Sequence, residues 1–294
     1  MVIRYEGMLY RPPSEARSLI LQATIGCSYN ECTFCGMYRD RRFRVRPLAE
    51  LEAEIDWARE RSGAGVRKVF LADGDALVAK AAFLEAVLVR LRAAFPALRR
   101  VSCYASPQSL QVRSVAEMTR LRELGLTLYY LGIESGHDVV LERLAKGVDA
   151  AEMIRVAGKA SEAGVALSTM ILLGAGGPAL SREHARASAQ VVNAIQPRFL
   201  STLMMTPVEG TPLFEEERRG EYRQISDYEA TLELRELVAG LELTGTIFRS
   251  NHASNAVPLE GTLPRDKDRI LAALDELLAL GDGAPFVPSG LRGL

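Results

Sequence analysis

The chain has 294 residues, and its 36 Lys and Arg against 37 Asp and Glu leave a formal net charge of -1 at pH 7. This balance argues against a protein that holds nucleic acid or anionic lipid mainly by bulk charge. The sequence contains no apolar run near the roughly 18 residues that a membrane-spanning helix needs, and its first residues lack the apolar stretch of a signal peptide. We therefore expect a cytoplasmic globular protein, with nucleic acid an improbable partner.

The middle of the chain alternates short apolar or β-branched runs with longer amphipathic ones. The short runs predict six strands, at 17–25, 66–71, 101–105, 126–133, 165–173 and 198–205. The longer runs predict helices at 48–61, 83–91, 115–123, 139–144, 151–162 and 182–194. Six such units predict a parallel sheet with helical crossovers. The expected fold is therefore an α/β partial (β/α)6 barrel.

The pattern changes after residue 206. We predict an extended Pro- and Gly-containing segment at 206–214, a helix at 226–243, a strand at 246–249 and a helix at 265–280. The expected domains are an N-terminal extension at 1–16, the partial barrel at 17–206, and a mainly helical extension at 207–294 that closes the barrel mouth.

Three of the four cysteines lie within nine residues, at Cys27, Cys32 and Cys35, while Cys103 lies alone in an apolar strand. Clustered cysteines in a reducing compartment indicate metal ligation or redox chemistry. A structural zinc site needs four ligands, whereas three thiolates suit a [4Fe–4S] cluster with one open iron. An incomplete zinc knuckle and unrelated reduced thiols remain as alternatives.

This loop resembles the signature of the radical S-adenosylmethionine (SAM) superfamily, which has three cysteines and an aromatic residue just before the third, here Phe34. The common spacing is three residues and then two, whereas this chain has four and then two. Other segments resemble the same superfamily in the same order, over roughly residues 17–215. They are Asp73-Gly74-Asp75, like its Gly-Gly-Glu motif; Gly132–Gly136 followed by Lys146-Gly147; Gly174–Gly177; and Pro207–Leu213. The last three resemble the branch of methylthiotransferases and oxygen-independent coproporphyrinogen oxidases.

The resemblance implies that the open iron chelates the methionine part of SAM. An electron from the cluster would then cleave the sulfonium, giving methionine and a 5′-deoxyadenosyl radical. It also implies that Phe34 lies against the adenine and that Asp75, in place of Glu, holds the methionine ammonium. Glu134 is a candidate for the ribose hydroxyls and Lys146 for the methionine carboxylate. Further candidates for SAM binding are Asp73, Gly74, Ser106 and Ser168.

Each of these residues also has a plainer interpretation. Asp-Gly is common turn chemistry, so the two aspartates would then simply shape a turn. Lys146, next to a glycine, would then cap a helix C-terminus. Cys103 is best interpreted as a small buried hydrophobe.

Two polar segments lie outside these motifs. Arg39–Arg46 contains five arginines beside the cysteine loop, which is either a solvated surface or a docking site for an acidic flavodoxin or ferredoxin that supplies the electron. The segment 249–255 (RSNHASN) is either a turn with a helix cap or a substrate-binding loop. In the second interpretation Arg249, Asn251 and Asn255 contact the substrate, and His252 transfers a proton.

The cysteine count limits the reaction, because one cysteine beyond three ligands cannot hold a second cysteine-ligated cluster. We therefore expect a single-cluster enzyme that abstracts hydrogen from a small organic substrate. The alternative from another class is a non-catalytic iron–sulfur or zinc redox sensor. Among enzymes, the alternatives are a coproporphyrinogen-oxidase-like decarboxylation and a radical methyl transfer.

Overall fold

The computed structural model describes residues 3–293. The strands within these residues are β1 (Leu19–Gln22), β2 (Thr24–Ile25), β3 (Arg44–Val45), β4 (Lys68–Ala72), β5 (Arg100–Ala105), β6 (Leu126–Glu134), β7 (Ala166–Leu173), β8 (Phe199–Met204), β9 (Thr246–Arg249) and β10 (Glu260–Leu263). The α-helices are α1 (Leu48–Ser62), α2 (Ala81–Ala94), α3 (Pro107–Val112), α4 (Val115–Glu123), α5 (Asp138–Arg143), α6 (Ala150–Glu162), α7 (Gly177–Ile195), α8 (Pro212–Arg218), α9 (Asp227–Gly240) and α10 (Lys267–Leu280).

Eight strands form one mostly parallel sheet with the order β1-β4-β5-β6-β7-β8-β9-β10. Parallel pairing joins β1 to β4, β4 to β5 and β5 to β6, and likewise β7 to β8 and β8 to β9. β10 is antiparallel to β9, and β2 and β3 form a separate two-stranded ribbon. The predicted α/β fold with a partial parallel barrel is confirmed. The strand predicted separately at 246–249 is β9 and joins this sheet, whereas β10 was not predicted.

The chain divides into two compact units. The first contains Met1–Asn30, Met37–Leu131 and Val156–Leu167; the second contains Glu31–Gly36, Gly132–Arg155 and Ser168–Leu294. In the first unit α1 packs on α2, and α2 buries one stripe, at Leu84, Val87, Leu88 and Leu91. Their spacing of three and four residues is the period of one helix face. In the second unit α9 packs against both α7 and α10.

Two helices that the sequence analysis missed begin with the same pattern, a hydroxyl residue followed by proline. The side chain of Ser106 accepts a hydrogen bond from Ser109 and caps α3, with Pro107 in the first turn. Thr211 caps α8 in the same way, with Pro212 next. Proline suits the first position of a helix, because that N–H has no partner inside the helix. The prediction of an extended segment at 206–214 was therefore wrong at its end.

The predicted strand at 17–25 is interrupted after Gln22. There the guanidinium of Arg46 donates to the carbonyl of Gln22, and the N–H of Arg46 donates to the carbonyl of Ala23. The chain then enters the ribbon, whose two strands flank the cysteine loop. No helix among residues 3–293 is long and apolar enough to cross a membrane.

Candidate functional site

The three clustered cysteines lie in the segment that connects β2 to β3. Cys27 belongs to the first unit, and Cys32 and Cys35 belong to the segment Glu31–Gly36 of the second. All four cysteines of the chain lie in the described residues, and none forms a disulfide. No group of three or more His, Cys, Asp or Glu side chains in residues 3–293 is already arranged to hold a metal ion. Ligation by all three cysteines therefore stays a prediction.

Backbone and hydroxyl contacts anchor the second half of the cysteine loop. The N–H of Thr33 donates to the carbonyl of Leu144 at 3.0 Å, and its hydroxyl donates to the carbonyl of Arg143 at 2.9 Å. The N–H of Leu213 donates to the carbonyl of Thr33 at 3.0 Å. The C-terminal end of α5 and the start of α8 thus fix the segment that carries two of the cysteines.

Phe34 is half-buried in this segment and packs against an apolar cluster of the second unit. The buried members of the cluster are Val140, Leu144, Leu172, Ala175, Met205, Leu213 and Tyr222. The apolar cluster therefore contacts the ring on one side, and the exposed part of the ring remains accessible to a flat ligand. Its stacking on adenine stays a prediction.

A buried ion pair lies beside the same segment. The ammonium of Lys146 is 3.0 Å from Oε1 of Glu134, and the two side chains are only 9 % and 10 % exposed. Burial disfavours the charged form of Lys146, but the surrounding negative charges, that of Glu134 first among them, together outweigh it and raise the pKa of the lysine. The charges of Cys32 and Cys35 contribute to the same rise. A positive charge therefore lies close to two thiol groups.

The backbone around Glu134 explains why glycine stands at Gly132. A Cβ at Gly132 would lie 1.8 Å from Oε1 of Glu134 and 3.1 Å from Nζ of Lys146. The Glu134 side chain therefore folds back over a position that only glycine leaves open. Glu134 itself has a φ of +65°, a conformation that is uncommon outside glycine and worth a functional interpretation.

These observations fit a negatively charged iron–sulfur site. Thiolate ligands favour iron–sulfur clusters, and the charge and hydrogen bonds around such a cluster set its potential. The ammonium of Lys146 beside Cys32 and Cys35 supplies such a charge. The site residues therefore suit a cluster.

Asp75 lies in the first unit and is fully buried. Its Oδ2 accepts hydrogen bonds from the hydroxyls of Ser28 and Ser106, both at 2.6 Å, and its Oδ1 accepts a longer one from the N–H of Ser106 at 3.4 Å. Burial raises the pKa of Asp75, and these hydrogen bonds oppose the rise. The structure thus brings Asp75 and Ser106 together, and the carboxylate is directed at Ser28 in the cysteine loop.

Asp73 is also fully buried, with a φ of +72°. It accepts hydrogen bonds from the side-chain amide of Gln22 at 3.0 Å and from the N–H of Gly26 at 2.8 Å. The guanidinium of Arg41 lies 3.8 Å away. Burial raises the pKa of Asp73. Both oxygens therefore bind protein groups, and the role of Asp73 in SAM binding stays a prediction.

The run Arg39–Arg46 is not a uniform basic surface. The side chain of Arg41 is only 6 % exposed and donates to the carbonyls of Glu6 and Met8. Arg46 is 11 % exposed, and its guanidinium binds Glu54. These two arginines are structural, so only Arg39, Arg42 and Arg44 are exposed for a docking surface.

The loop at 249–255 is held together from inside. The amide of Asn255, which is 5 % exposed, donates to the carbonyls of Thr202 and Ser250 at 2.8 and 3.0 Å. The amide of Asn251 donates to Glu260 at 3.1 Å, and the guanidinium of Arg249 is 3.4 Å from the same carboxylate. Asn255 therefore anchors the loop, and contact between any of these residues and a substrate stays a prediction.

His252 is half-buried in this loop, and burial lowers its pKa. Its Nδ1 accepts a hydrogen bond from the N–H of Ser254 at 3.2 Å and lies 2.8 Å from the hydroxyl of the same serine. Because a backbone N–H only donates, Nδ1 is the acceptor and the neutral ring carries its proton on Nε2. The ring therefore presents a hydrogen-bond donor.

The second unit contains a buried polar network that the sequence did not predict. The carboxylate of Glu233 accepts hydrogen bonds from the N–H of Gly174 at 2.7 Å and the hydroxyl of Ser181 at 2.5 Å. Nε2 of His184 is 3.1 Å from the carbonyl of Leu172, so it carries the proton, and Nδ1 accepts from the hydroxyl of Ser135 at 2.8 Å. The network joins the Gly-rich turn at 174–177 to the motif at 132–136.

In the sequence, the signal for this network was Glu233, a charged residue on the mostly apolar face of α9. Burial raises the pKa of Glu233 to about 7 and lowers that of His184 to about 4. The two groups lie 3.5 Å apart and neither is exposed.

The family model of the radical SAM superfamily matches residues 21–186, which is more than half of the chain. The chain therefore belongs to the radical SAM superfamily, as its cysteine loop indicated. It is an enzyme of this class, which uses a [4Fe–4S] cluster and SAM.

Solved structures of this class share the fold. Methylornithine synthase superposes with a TM-score of 0.56 at 16 % identity, over 94 % of this chain and 72 % of that one. Coproporphyrinogen III oxidase from Escherichia coli gives a TM-score of 0.57 at 19 % identity, over 76 % and 51 %. The methyltransferase TsrM from Kitasatospora setae, with cobalamin and a [4Fe–4S] cluster bound, gives 0.55 at 19 %, over 71 % and 41 %. This chain therefore spans about half of the length of coproporphyrinogen III oxidase and less than half of the length of TsrM. No curated protein matches its sequence.

Proposed function

We propose that this enzyme cleaves SAM reductively at a single cluster held by Cys27, Cys32 and Cys35 and abstracts a hydrogen atom from a small organic substrate. The observation that carries the proposal is the buried Lys146–Glu134 pair, whose ammonium lies near two of the three thiol groups. When bound, the cluster supplies the electron that breaks the sulfonium bond of SAM.

The contacts suggest a division of roles for SAM among residues of the second unit. The ammonium of Lys146 attracts the methionine carboxylate, and it remains charged because the pKa of this lysine is raised. Glu134 keeps its second carboxylate oxygen for the ribose hydroxyls. Phe34 offers its half-buried ring to the adenine, and Ser168 on β7 is a further candidate. Ser106, in the first unit, already donates its hydroxyl to Asp75. Among the candidates for SAM binding we therefore place it last.

A face of the β7–β8–β9 sheet supports a substrate surface. Leu173 and Met204 line a small cavity against α9, so helices cover their side of the sheet. Met170 pairs in register with Ser201, and Ser201 with Arg249. Because successive side chains alternate between the two faces of a strand, these three lie on the opposite, partly exposed face.

The same face indicates the substrate's chemistry. The guanidinium of Arg249 is 43 % exposed, and its partner Glu260 is 62 % exposed at 3.4 Å. An exposed pair of this kind is worth only about 0–1 kcal/mol, so a ligand can replace it. We infer a substrate with a carboxylate or phosphate group, whose anion binds Arg249 while Ser201 and Met170 contact its body.

The electron donor in this proposal is an acidic flavodoxin or ferredoxin. The exposed arginines at 39, 42 and 44 lie within nine residues of Cys35 and supply the complementary charge, which steers association. A reducing compartment keeps the cysteines as thiols, so we place the enzyme in the cytoplasm.

The test is anaerobic reconstitution with iron and sulfide, followed by SAM and dithionite, with 5′-deoxyadenosine measured by mass spectrometry. We expect product from the wild type and none from Cys32→Ala. Cys103→Ala is the matched control, because Cys103 is buried within β5 and is not part of the cysteine loop, and it should keep both the brown chromophore and the product. A wild type that holds zinc with four donors, or a Cys32→Ala variant as active as the wild type, would contradict the proposal.

The substrate inference has its own test in the same assay. Small carboxylates and phosphates are added singly, each beside its neutral amide or alcohol. The anionic member should raise the rate of 5′-deoxyadenosine formation, and Arg249→Gln should abolish that preference. Stimulation by neutral compounds alone would refute an anionic substrate.

A further inference from the structure

Three consecutive residues after β4 contact the start of the cysteine loop in order. Asp73 accepts a hydrogen bond from the N–H of Gly26 at 2.8 Å. The N–H of Gly74 donates to the carbonyl of Gly26 at 3.0 Å. Asp75 accepts from the hydroxyl of Ser28 at 2.6 Å. The first cysteine of the loop is therefore bracketed on both sides by contacts from one short segment.

The middle of this segment lies directly against Cys27. A Cβ at Gly74 would be 2.6 Å from Cβ of Cys27 and 3.0 Å from both its Cα and a ring carbon of Tyr38. Real Cβ atoms do not approach so closely, so the backbone at 74 can reach the cysteine only as glycine. Cys27 is thus held by direct packing as well as by hydrogen bonds to its neighbours.

Asp75 is enclosed in a way that suits a short carboxylate. It has no exposed surface, and one of its oxygens accepts two short bonds, from Ser28 and Ser106. Ser106 is in turn fixed by the capping box of α3. Charge-assisted hydrogen bonds of this length are about twice as strong as neutral ones. A longer Glu side chain would have to displace one of the serines.

We propose that Asp73–Asp75 acts as a clamp that positions Cys27, and that Asp75 is a positioning residue acting through Ser28 instead of a ligand of the methionine ammonium. This proposal departs from the role that the resemblance to the Gly-Gly-Glu motif implies for Asp75. It rests on the proposed function in one respect, that Cys27 ligates the cluster.

The two roles predict opposite results for three variants of the reconstituted holoenzyme, Asp75→Asn, Asp75→Glu and Ser28→Ala, with the double variant Asp75→Asn/Ser28→Ala. Three quantities are measured without any organic substrate. They are the electron paramagnetic resonance spectrum of the reduced SAM-free cluster, the rate of iron loss to a chelator, and the dissociation constant of SAM from its effect on that spectrum.

If the clamp operates, Asp75→Asn and Ser28→Ala change the SAM-free spectrum alike. Each speeds iron loss about tenfold, the size expected when one hydrogen bond to a charged group is lost. The double variant is no worse than the more affected single variant, because both substitutions act on the same charge-assisted hydrogen bond. Asp75→Glu resembles Asp75→Asn, since the longer side chain does not fit between the serines.

The clamp is overturned if Ser28→Ala behaves as the wild type while Asp75→Asn weakens SAM binding and leaves the SAM-free spectrum unchanged. It is also overturned if Asp75→Glu binds SAM as well as the wild type or better. Ser114→Ala is the matched control, because it removes the capping box of α4, far along the chain from the three clustered cysteines, and should leave the spectrum unchanged. A wild type that assembles no cluster refutes the proposed function itself, and that result is distinct from a cluster that is indifferent to Ser28.

Discussion

The buried pair Glu233 and His184 makes opposing contributions to stability, which one substitution should separate. Burial raises the pKa of Glu233 from 4.5 to about 7 and lowers that of His184 from 6.5 to about 4. Between pH 4.5 and 7 the native state holds more protons on Glu233 than the unfolded state, so this group makes stability fall as pH rises. Between pH 4 and 6.5 the native state holds fewer protons on His184, so the histidine makes stability rise with pH.

The two contributions are of similar size, because each pKa changes by about 2.5 and one pKa unit corresponds to 1.36 kcal/mol. Each group therefore contributes roughly 3 kcal/mol over its window, and the slopes cancel where the windows overlap, between pH 4.5 and 6.5. In Glu233→Gln only the histidine remains. The free energy of unfolding of this variant should fall by about 1 kcal/mol between about pH 6.5 and 5.5, while that of the wild type stays level.

At about pH 8 the charge of Glu233 decides the difference in stability between the wild type and the variant. The wild type there holds a buried carboxylate charge, and the neutral amide of Glu233→Gln still offers an oxygen to the N–H of Gly174. The variant should therefore be more stable than the wild type by up to roughly 3 kcal/mol, less what the poorer hydrogen bonds to its amide lose.

The assay is denaturant unfolding followed by circular dichroism at a series of pH values. Glu236→Gln is the control, because Glu236 lies on the same helix but forms a surface pair with Arg186, and its profile should parallel that of the wild type. If the Glu233→Gln profile also runs parallel to the wild type, the two buried groups do not titrate as the structure indicates and the reasoning is refuted.

Three further predictions concern the site and its surroundings. Lys146→Met should make the cluster harder to reduce, lowering its midpoint potential by tens of millivolts, roughly, in a redox titration, because a positive charge near the thiolates is lost; an unchanged potential would place the lysine too far away to matter. Arg42→Glu should slow turnover driven by flavodoxin but not turnover driven by dithionite, and equal losses with both reductants would argue against docking. Arg41→Glu should instead lower the melting temperature, because the side chain of Arg41 is buried. Asn255→Ala should cost about 2–3 kcal/mol in the free energy of unfolding, since it leaves buried carbonyls without donors, and a neutral result would show that the loop does not depend on it.

The sequence predicted those parts of the fold where hydrophobic period and length agree. The six parallel strands and their crossover helices stand out because buried strands are short and continuously apolar while the helices show a longer period. β10 was missed because its four residues lie between prolines and carry no alternating pattern. α3 and α8 were missed because helices of six and seven residues are too short to show a hydrophobic period, so their only signal is a capping Ser or Thr followed by proline.

In the candidate site, too, the sequence predicts some features and only the structure shows the others. The residue types of the cluster loop are readable because thiolates at close spacing have few other uses. The partners of Asp75 and Arg41 are not readable, because hydrogen bonds over 47 or 35 positions depend on how the strands register. A basic run predicts charge, but only the fold decides which guanidinium points inward.

The unusual spacing of the cysteines is intelligible once the two ends of the loop are considered separately. The end at Cys27 is held by the clamp, and the end at Cys32 is held by the hydrogen bonds of Thr33. Between them Asn30 takes a φ of +52° and donates from its side chain to the carbonyl of Tyr38 at 3.0 Å. Asparagine tolerates this left-handed conformation better than other non-glycine residues. The additional residue is therefore absorbed in a turn between two anchored ends, and neither anchor depends on the commoner spacing.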